Sequence, residues 1–308
     1  MYERFYGLQE RPFDLSPNPR FLCFTPQHRE ALAHLEYGLA GRPGVTVLVG
    51  EAGTGKTTLV RKALEASSQH ATIVHLTNPT LTRAEFFEYL AASFSFSDQA
   101  GRSKIQFLRE LESALNNAGG PRLALVVDEA QSVPYELLEE IRLLTNAESS
   151  IGRSLAVVLA GQPELGRRLD EARLRQLKQR VVLRCELTPL SLKDTAAYIS
   201  ARVKTAGGEA AQLFSRDAVI AIHQHSNGIP RVISVICDNA LVNGFAADQK
   251  PVGAGTIHEV CKSLSLPVSD AARPAAAAAA PVFAPEPVPV AARAPMFASV
   301  AKRRFSFF

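Results

Sequence analysis

The chain has 308 residues, of which 46% are hydrophobic, with 34 Lys and Arg against 30 Asp and Glu, no Trp and four Cys. This composition suits a globular protein of one large or two modest domains, and it excludes collagen-like, disulfide-framed and wholly disordered chains. The net charge of +4 sits mainly at one end. Residues 267–308 carry five basic and two acidic side chains, which leaves 29 and 28 for residues 1–266, so the body of the chain is close to neutral.

Cys23, Cys185, Cys237 and Cys261 lie tens of residues apart and form no C-x-x-C pair, which predicts free thiols in a reducing compartment and no zinc site. The first residues show no charged-then-apolar leader, and no run reaches the roughly 18–20 apolar residues of a membrane span. The expectation is a cytoplasmic protein.

Short apolar runs, rich in β-branched residues, recur at Val45–Val49, Thr72–Leu76, Leu123–Val127, Leu155–Ala160 and Val181–Cys185, separated by segments of helical period. That alternation predicts an α/β fold: a parallel five-stranded sheet flanked by helices. After Pro189 the strand pattern stops, and residues 191–206, 215–225, 230–247 and 254–264 read as helices of a small helical domain. The resulting division is a leading segment 1–40, an α/β core 41–189, a helical unit 190–266 and a tail 267–308. The tail is dominated by Ala and spaced Pro, which predicts disorder. Its end, residues 296–308, sets Phe297, Phe305, Phe307 and Phe308 around Lys302, Arg303 and Arg304, a pattern suited to docking on a partner or an anionic membrane surface.

The first strand runs straight into Gly50-Glu51-Ala52-Gly53-Thr54-Gly55-Lys56-Thr57-Thr58, a complete G-x-x-x-x-G-K-T sequence opening a helix. Glycines let successive N–H groups converge on phosphate oxygens, and the helix N-terminus adds a favourable partial charge. Lys56 is placed to neutralise β- and γ-phosphates, and the Thr57 hydroxyl to ligate Mg²⁺. A chance match in a chain of this length is on the order of one in a hundred.

The third strand ends in Asp128-Glu129. Two carboxylates at a buried strand end repel one another unless a cation or a water network receives them. Asp128 is assigned to Mg²⁺ through its water shell, and Glu129 to orienting and deprotonating an attacking water. About 71 positions separate Lys56 from Asp128, room for the intervening strand Thr72–Leu76 that sets an additional-strand ATPase apart from a simple nucleotide kinase.

Three further polar groups stand at strand ends or helix starts. Gln162, after the fourth strand, is placed to touch a γ-phosphate or the lytic water. Asn78, after the second, either holds Glu129 inactive or forms a turn with Pro79. Arg231, in Gly228-Ile229-Pro230-Arg231, falls in the first turn of a helix that Pro230 opens, where the dipole disfavours a cation unless an anion is close, and is read as a lid arginine reaching phosphate. Within the basic run Arg173, Arg175, Lys178, Arg180 and Arg184, Arg180 or, second, Arg175 would enter a neighbouring subunit's site in a ring or filament. His223 and His225, two apart on a helix, diverge and make no metal pair.

Tyr6-Gly7-Leu8, Arg11-Pro12-Phe13, Pro17-Asn18-Pro19-Arg20-Phe21-Leu22 and His28-Arg29-Glu30-Ala31-Leu32, followed by the phosphate loop, Val127-Asp128-Glu129, Gly161-Gln162-Pro163-Glu164-Leu165 and Gly228-Ile229-Pro230-Arg231, together resemble the ExeA/GspA-type AAA+ ATPases, and are similar to ATPases of exosortase and exopolysaccharide systems. The resemblance covers residues 1 to about 266. It implies a P-loop AAA+ core with a helical lid, ATP and Mg²⁺ as ligands, and hydrolysis between subunits of a homo-oligomer. It also implies an N-terminal segment packed over the nucleotide near Phe24, Thr25 and Pro26, and service to bacterial envelope machinery of secretion, pilus or polysaccharide type. Two other readings compete: a DNA-associated switch of initiator or transposition type, disfavoured by the neutral body and by Ala/Pro sequence where a winged helix would follow, and a low-turnover nucleotide-gated adaptor working through its tail.

Overall fold

In a computed structural model, residues 1–14, 19–21, 25–40, 44–147 and 149–266 are described. The tail and its proposed 296–308 docking end, Cys23 and Phe24 lie outside the described residues.

In chain order the elements are α1 (Tyr2–Tyr6), α2 (Pro26–Leu39), β1 (Val45–Gly50), α3 (Lys56–Ser67), β2 (Ala71–Leu76), α4 (Arg83–Ser93), α5 (Asp98–Arg102), α6 (Lys104–Asn116), β3 (Arg122–Val127), α7 (Tyr135–Leu144), β4 (Ala156–Gly161), α8 (Pro163–Leu169), α9 (Arg175–Gln179) and β5 (Val181–Leu187). The helical unit then comprises α10 (Leu192–Thr205), α11 (Ala210–Leu213), α12 (Arg216–Ser226), α13 (Pro230–Ala246) and α14 (Ala254–Ser263). Each strand coincides with one of the five apolar runs to within a residue or two. The short helices α1 and α11 were not anticipated, because four- or five-residue helices carry too little periodicity to read.

The five strands are parallel, in the order β2-β3-β4-β1-β5. Alternation divides their side chains between two layers. Val45, Val47 and Val49, Leu123, Leu125 and Val127, and Val157 and Leu159 face the layer with Phe86, Leu90, Phe107, Leu111, Leu138 and Ile141. Leu48, Ala124, Val126, Ala156, Val158 and Ala160 face α2 and α3 through Ala31, Leu35, Leu59 and Ala63. The second face is built largely of small residues, which lets two helices lie close over the strands. Each large aliphatic side chain buried in this way stabilises by roughly 1.5–3 kcal/mol.

Local chemistry sets the helix starts. Thr25 accepts the His28 N–H, with Pro26 following it as the first residue of α2, and Thr82 with Glu85 closes a reciprocal capping box on α4. Ser191 and Ser215 cap α10 and α12 by accepting the N–H groups of Asp194 and Ala218. At the other end of α12, Asn227 and Gly228 both adopt positive φ, which turns the chain sharply into α13.

The helical unit has its own core, from Ile199, Val203, Ile222, Ile233, Ile236, Leu241, Ile257 and Val260, and the N-terminal Tyr2, Tyr6, Leu8, Phe13 and Phe21 belong to it. Tyr2 donates to Asp238 (2.5 Å) and Tyr6 to the Gln249 carbonyl (3.0 Å), while Arg202 donates to the carbonyls of Pro12 (2.6 Å) and Asp14 (3.0 Å). The first fourteen residues are thus bound to the lid, whereas α2 lies on the sheet.

Candidate nucleotide site

All five strands run in one direction, so their C-terminal ends form one rim. Three neighbouring strands β1, β4 and β3 bring to that rim the loop 50–55, Gln162 and the pair Asp128-Glu129. Parallel strands sit only about 4.8 Å apart, so these groups converge without any long excursion of the chain.

The loop runs into α3 through Gly53 and Gly55, at φ +86° and +99°, values that disfavour a side chain. The Lys56 ammonium, buried at 5% exposure, donates to the carbonyls of Gly50 (2.8 Å) and Glu51 (3.0 Å). Burial pulls it below its ordinary pKa, and the nearby Glu129 and Asp128 carboxylates oppose that pull. The Thr57 hydroxyl donates to Asp128 Oδ2 at 2.7 Å, although 71 positions separate the two. A hydroxyl beside a buried carboxylate fits Mg²⁺, which needs few protein oxygens because it keeps water and phosphate ligands. Among the described residues there is no cluster of three or more His, Cys, Asp and Glu that would make an all-protein metal cage.

Glu129 is a non-glycine residue at φ +51° opening a tight turn, Ala130–Ser132. Its Oε2 accepts from Gln131 Nε2 (2.5 Å) and from Gln162 Nε2 (3.2 Å). The Gln131 bond is the largest cause holding this carboxyl below the usual carboxylate range; burial opposes it, and Gln162 and Lys56 add to it. Gln162 therefore lies against the proposed water-activating group. Asn78 is exposed and accepts the Thr80 N–H (3.4 Å), the turn bond of the two alternatives open to it.

The lid meets the loop through Arg231. Its backbone N–H donates to the Gly53 carbonyl (3.2 Å), and its side chain runs over the position where a Gly53 Cβ would stand, 2.8 Å from Arg231 Cβ. On the other side, α2 reaches the same loop: His28 Nε2 lies 3.2 Å from the Thr54 carbonyl, and its Nδ1 2.6 Å from Thr25 Oγ1. Thr25 and Pro26 thus begin a helix that touches the phosphate loop.

Arg180 and Arg175 lie apart from this cluster. Arg180 directly precedes β5, at the sheet edge opposite the rim, and donates to Asn146 Oδ1; Arg175 opens α9, exposed. His223 and His225 do diverge, toward Thr195 of α10 and His258 of α14 (both 3.0 Å). Cys185, Cys237 and Cys261 are buried free thiols.

Two site residues went unread in the sequence. Gln131 stands two positions after Glu129, close enough to have been weighed as its partner. His28 is one histidine on a helix before the loop, with nothing local to mark its contact.

Comparison with known proteins agrees with the fold. An AAA domain family model matches residues 40–169. General secretion pathway protein A of Aeromonas hydrophila is 41% identical over 259 residues, which are 83% of this chain and 47% of that protein; the chain spans about half the length of this curated relative. Among solved structures, Cdc6p from Pyrobaculum aerophilum (TM-score 0.62, 20% identity, 84% of this chain and 72% of that one) and the Aeropyrum pernix ORC2 protein (0.60, 14%, 82% and 71%) share the fold.

Proposed function

We propose, since this chain belongs to the AAA+ ATPases of the general secretion pathway protein A type, that it binds ATP with Mg²⁺ at the rim of β1, β4 and β3 and hydrolyses it to drive assembly or export by a bacterial envelope system. The observation that carries the chemical part is the 2.7 Å contact between Thr57 and Asp128, with the Lys56 ammonium near both Asp128 and Glu129. Four groups of the types that phosphoryl transfer needs, drawn from the end of β3 and the start of α3, meet in one place.

In this reading the loop N–H groups and Lys56 hold the β- and γ-phosphates, while Arg231 adds a cation from the lid. Thr57 and Asp128 hold Mg²⁺, which when bound neutralises charge on the phosphates. Glu129 accepts the proton of the attacking water, with Gln162 alongside its carboxylate. Hydrolysis is assigned to a homo-oligomer in which Arg180, directly before β5, or Arg175, exposed at the start of α9, serves a neighbour's site.

Coupling to secretion machinery rests on the relative's name and on 41% identity over 83% of this chain. Among the described residues, no helix is long and apolar enough to cross a membrane. The test is phosphate release: wild type should require Mg²⁺ and Lys56, and Lys56→Ala should abolish both nucleotide binding and turnover. Turnover that survives Lys56→Ala would refute the assignment.

A further inference from the structure

Gln131 belongs to neither the phosphate loop nor the carboxylate pair, yet every polar atom of its side chain is committed. Its Nε2 donates to Glu129 Oε2 (2.5 Å) and its Oε1 accepts the backbone N–H of Gln162 (3.0 Å). The second bond fixes which end of the amide faces Glu129, because a backbone N–H can only donate and must meet the oxygen. Space for the amide is provided at Gly161, where a Cβ would stand 2.8 Å from Gln131 Oε1. The turn that carries Gln131 is held in turn by Arg168, which donates to the carbonyls of Gln131 and Val133 (2.8 Å to the latter) and stacks on Tyr135 at 4.3 Å.

The consequence falls on Glu129. Both amide donors, from Gln131 and Gln162, meet Oε2, and neither meets Oε1. A carboxylate gripped by one oxygen has its rotation about the terminal bond fixed, and the other oxygen is presented in one direction.

We infer that Gln131 is a positioning residue for water activation: it aims Glu129 Oε1 at the attacking water and locks that aim to the end of β4 through Gln162. The inference rests on the hydrolytic reading above and adds to it a residue that acts only through Glu129. Misplacing a reacting group by about an ångström can cost on the order of a hundredfold in rate, so loss of the grip lowers turnover while leaving the phosphate contacts intact.

The experiment compares steady-state ATP hydrolysis and nucleotide affinity of the full chain with those of Gln131→Met, which keeps the side-chain length and removes both bonds, and of Gly161→Ala, which fills the space of the amide. The expected result is a kcat lower by about tenfold or more in both variants, with KM and nucleotide affinity within about threefold of wild type. In a Glu129→Gln background the same substitutions should lower kcat no further, since the group they aim is gone. A wild-type kcat in Gln131→Met overturns the inference, and so does an equal loss in the Glu129→Gln background, which would mark a general structural role. If Gln131→Met fails to fold, Gly161→Ala decides by the same criteria. A wild-type rate indifferent to Glu129→Gln overturns the hydrolytic assignment of Glu129 itself, and the inference with it; a Glu129-dependent rate untouched by Gln131→Met overturns the inference alone.

Discussion

The backbone N–H of Arg231 donates to the carbonyl of Gly53 at 3.2 Å, so the first turn of the lid helix α13 rests on the phosphate loop. The lid is therefore joined to the loop by main chain, and the Arg231 side chain extends from that joint across the loop's surface. In the proposed function, nucleotide binding and lid position share this contact.

Gly53→Ala tests that joint. The substitution places a Cβ 2.8 Å from Arg231 Cβ and 3.1 Å from Ile229 Cγ2, at a residue whose φ of +86° disfavours any side chain. A strain of about 1–3 kcal/mol is expected. Both the thermal midpoint and nucleotide affinity should fall, whereas Arg231→Ala, on an exposed side chain, should weaken nucleotide binding with little change in midpoint. Equal midpoints for Gly53→Ala and wild type would show that the loop and lid are not in register.

Thr57 and Asp128 make a prediction about metal. Nucleotide affinity measured with Mg²⁺ and again with a chelator should differ for wild type by at least about tenfold, the scale on which a metal site weakens when its supporting groups are lost. In Asp128→Asn that difference should largely vanish. A variant that keeps the full Mg²⁺ effect would remove Asp128 from the metal site.

Acid should destabilise the fold through its histidines. His28, His75, His223 and His225 all have their pKa lowered, chiefly by burial. Between the unfolded value of about 6.5 and the lower folded values, the unfolded chain binds more protons. Stability is therefore full above pH about 6.5 and falls as pH drops through the folded values. Thermal midpoints should decline from pH 7.5 to 5.5, and His225→Asn, which removes a histidine packed at 3.0 Å on His258, should make the decline shallower. An unchanged slope in that variant would contradict this account. The carboxyl of Glu3, held at about 2, adds its own loss only at much lower pH.

Arg180 can be tested in mixed assemblies. Arg180→Ala and Lys56→Ala subunits are each expected to be inactive alone. Mixed, they should recover activity, because an intact nucleotide site on one can meet an intact arginine on the other. No recovery would argue that Arg180 serves no neighbour.

The sequence showed most clearly what depends on local pattern. Val45–Val49 and Leu123–Val127 were legible as strands because strands buried on both faces are built mainly of apolar residues, and the phosphate loop was legible because its glycines and Lys56 fall within seven consecutive positions. What escaped depends on partners distant in the chain. Tyr2 finds Asp238, 236 positions away, so the binding of residues 1–14 to the lid left no local trace. Gln131 acquires its role from a left-handed Glu129 and from the Gln162 N–H, 31 positions on. Asn78 had two equally good local readings, and only the fold distinguishes a bond to Thr80 from one to Glu129.

The central claim is that Glu129 activates water for ATP hydrolysis at this site. The direct measurement is phosphate release by wild type and Glu129→Gln, with nucleotide affinity determined on the same samples. The account predicts a loss of about a hundredfold or more in release with ATP still bound, as expected when a general base is removed and the phosphate contacts remain. Equal release rates in the two proteins would contradict it.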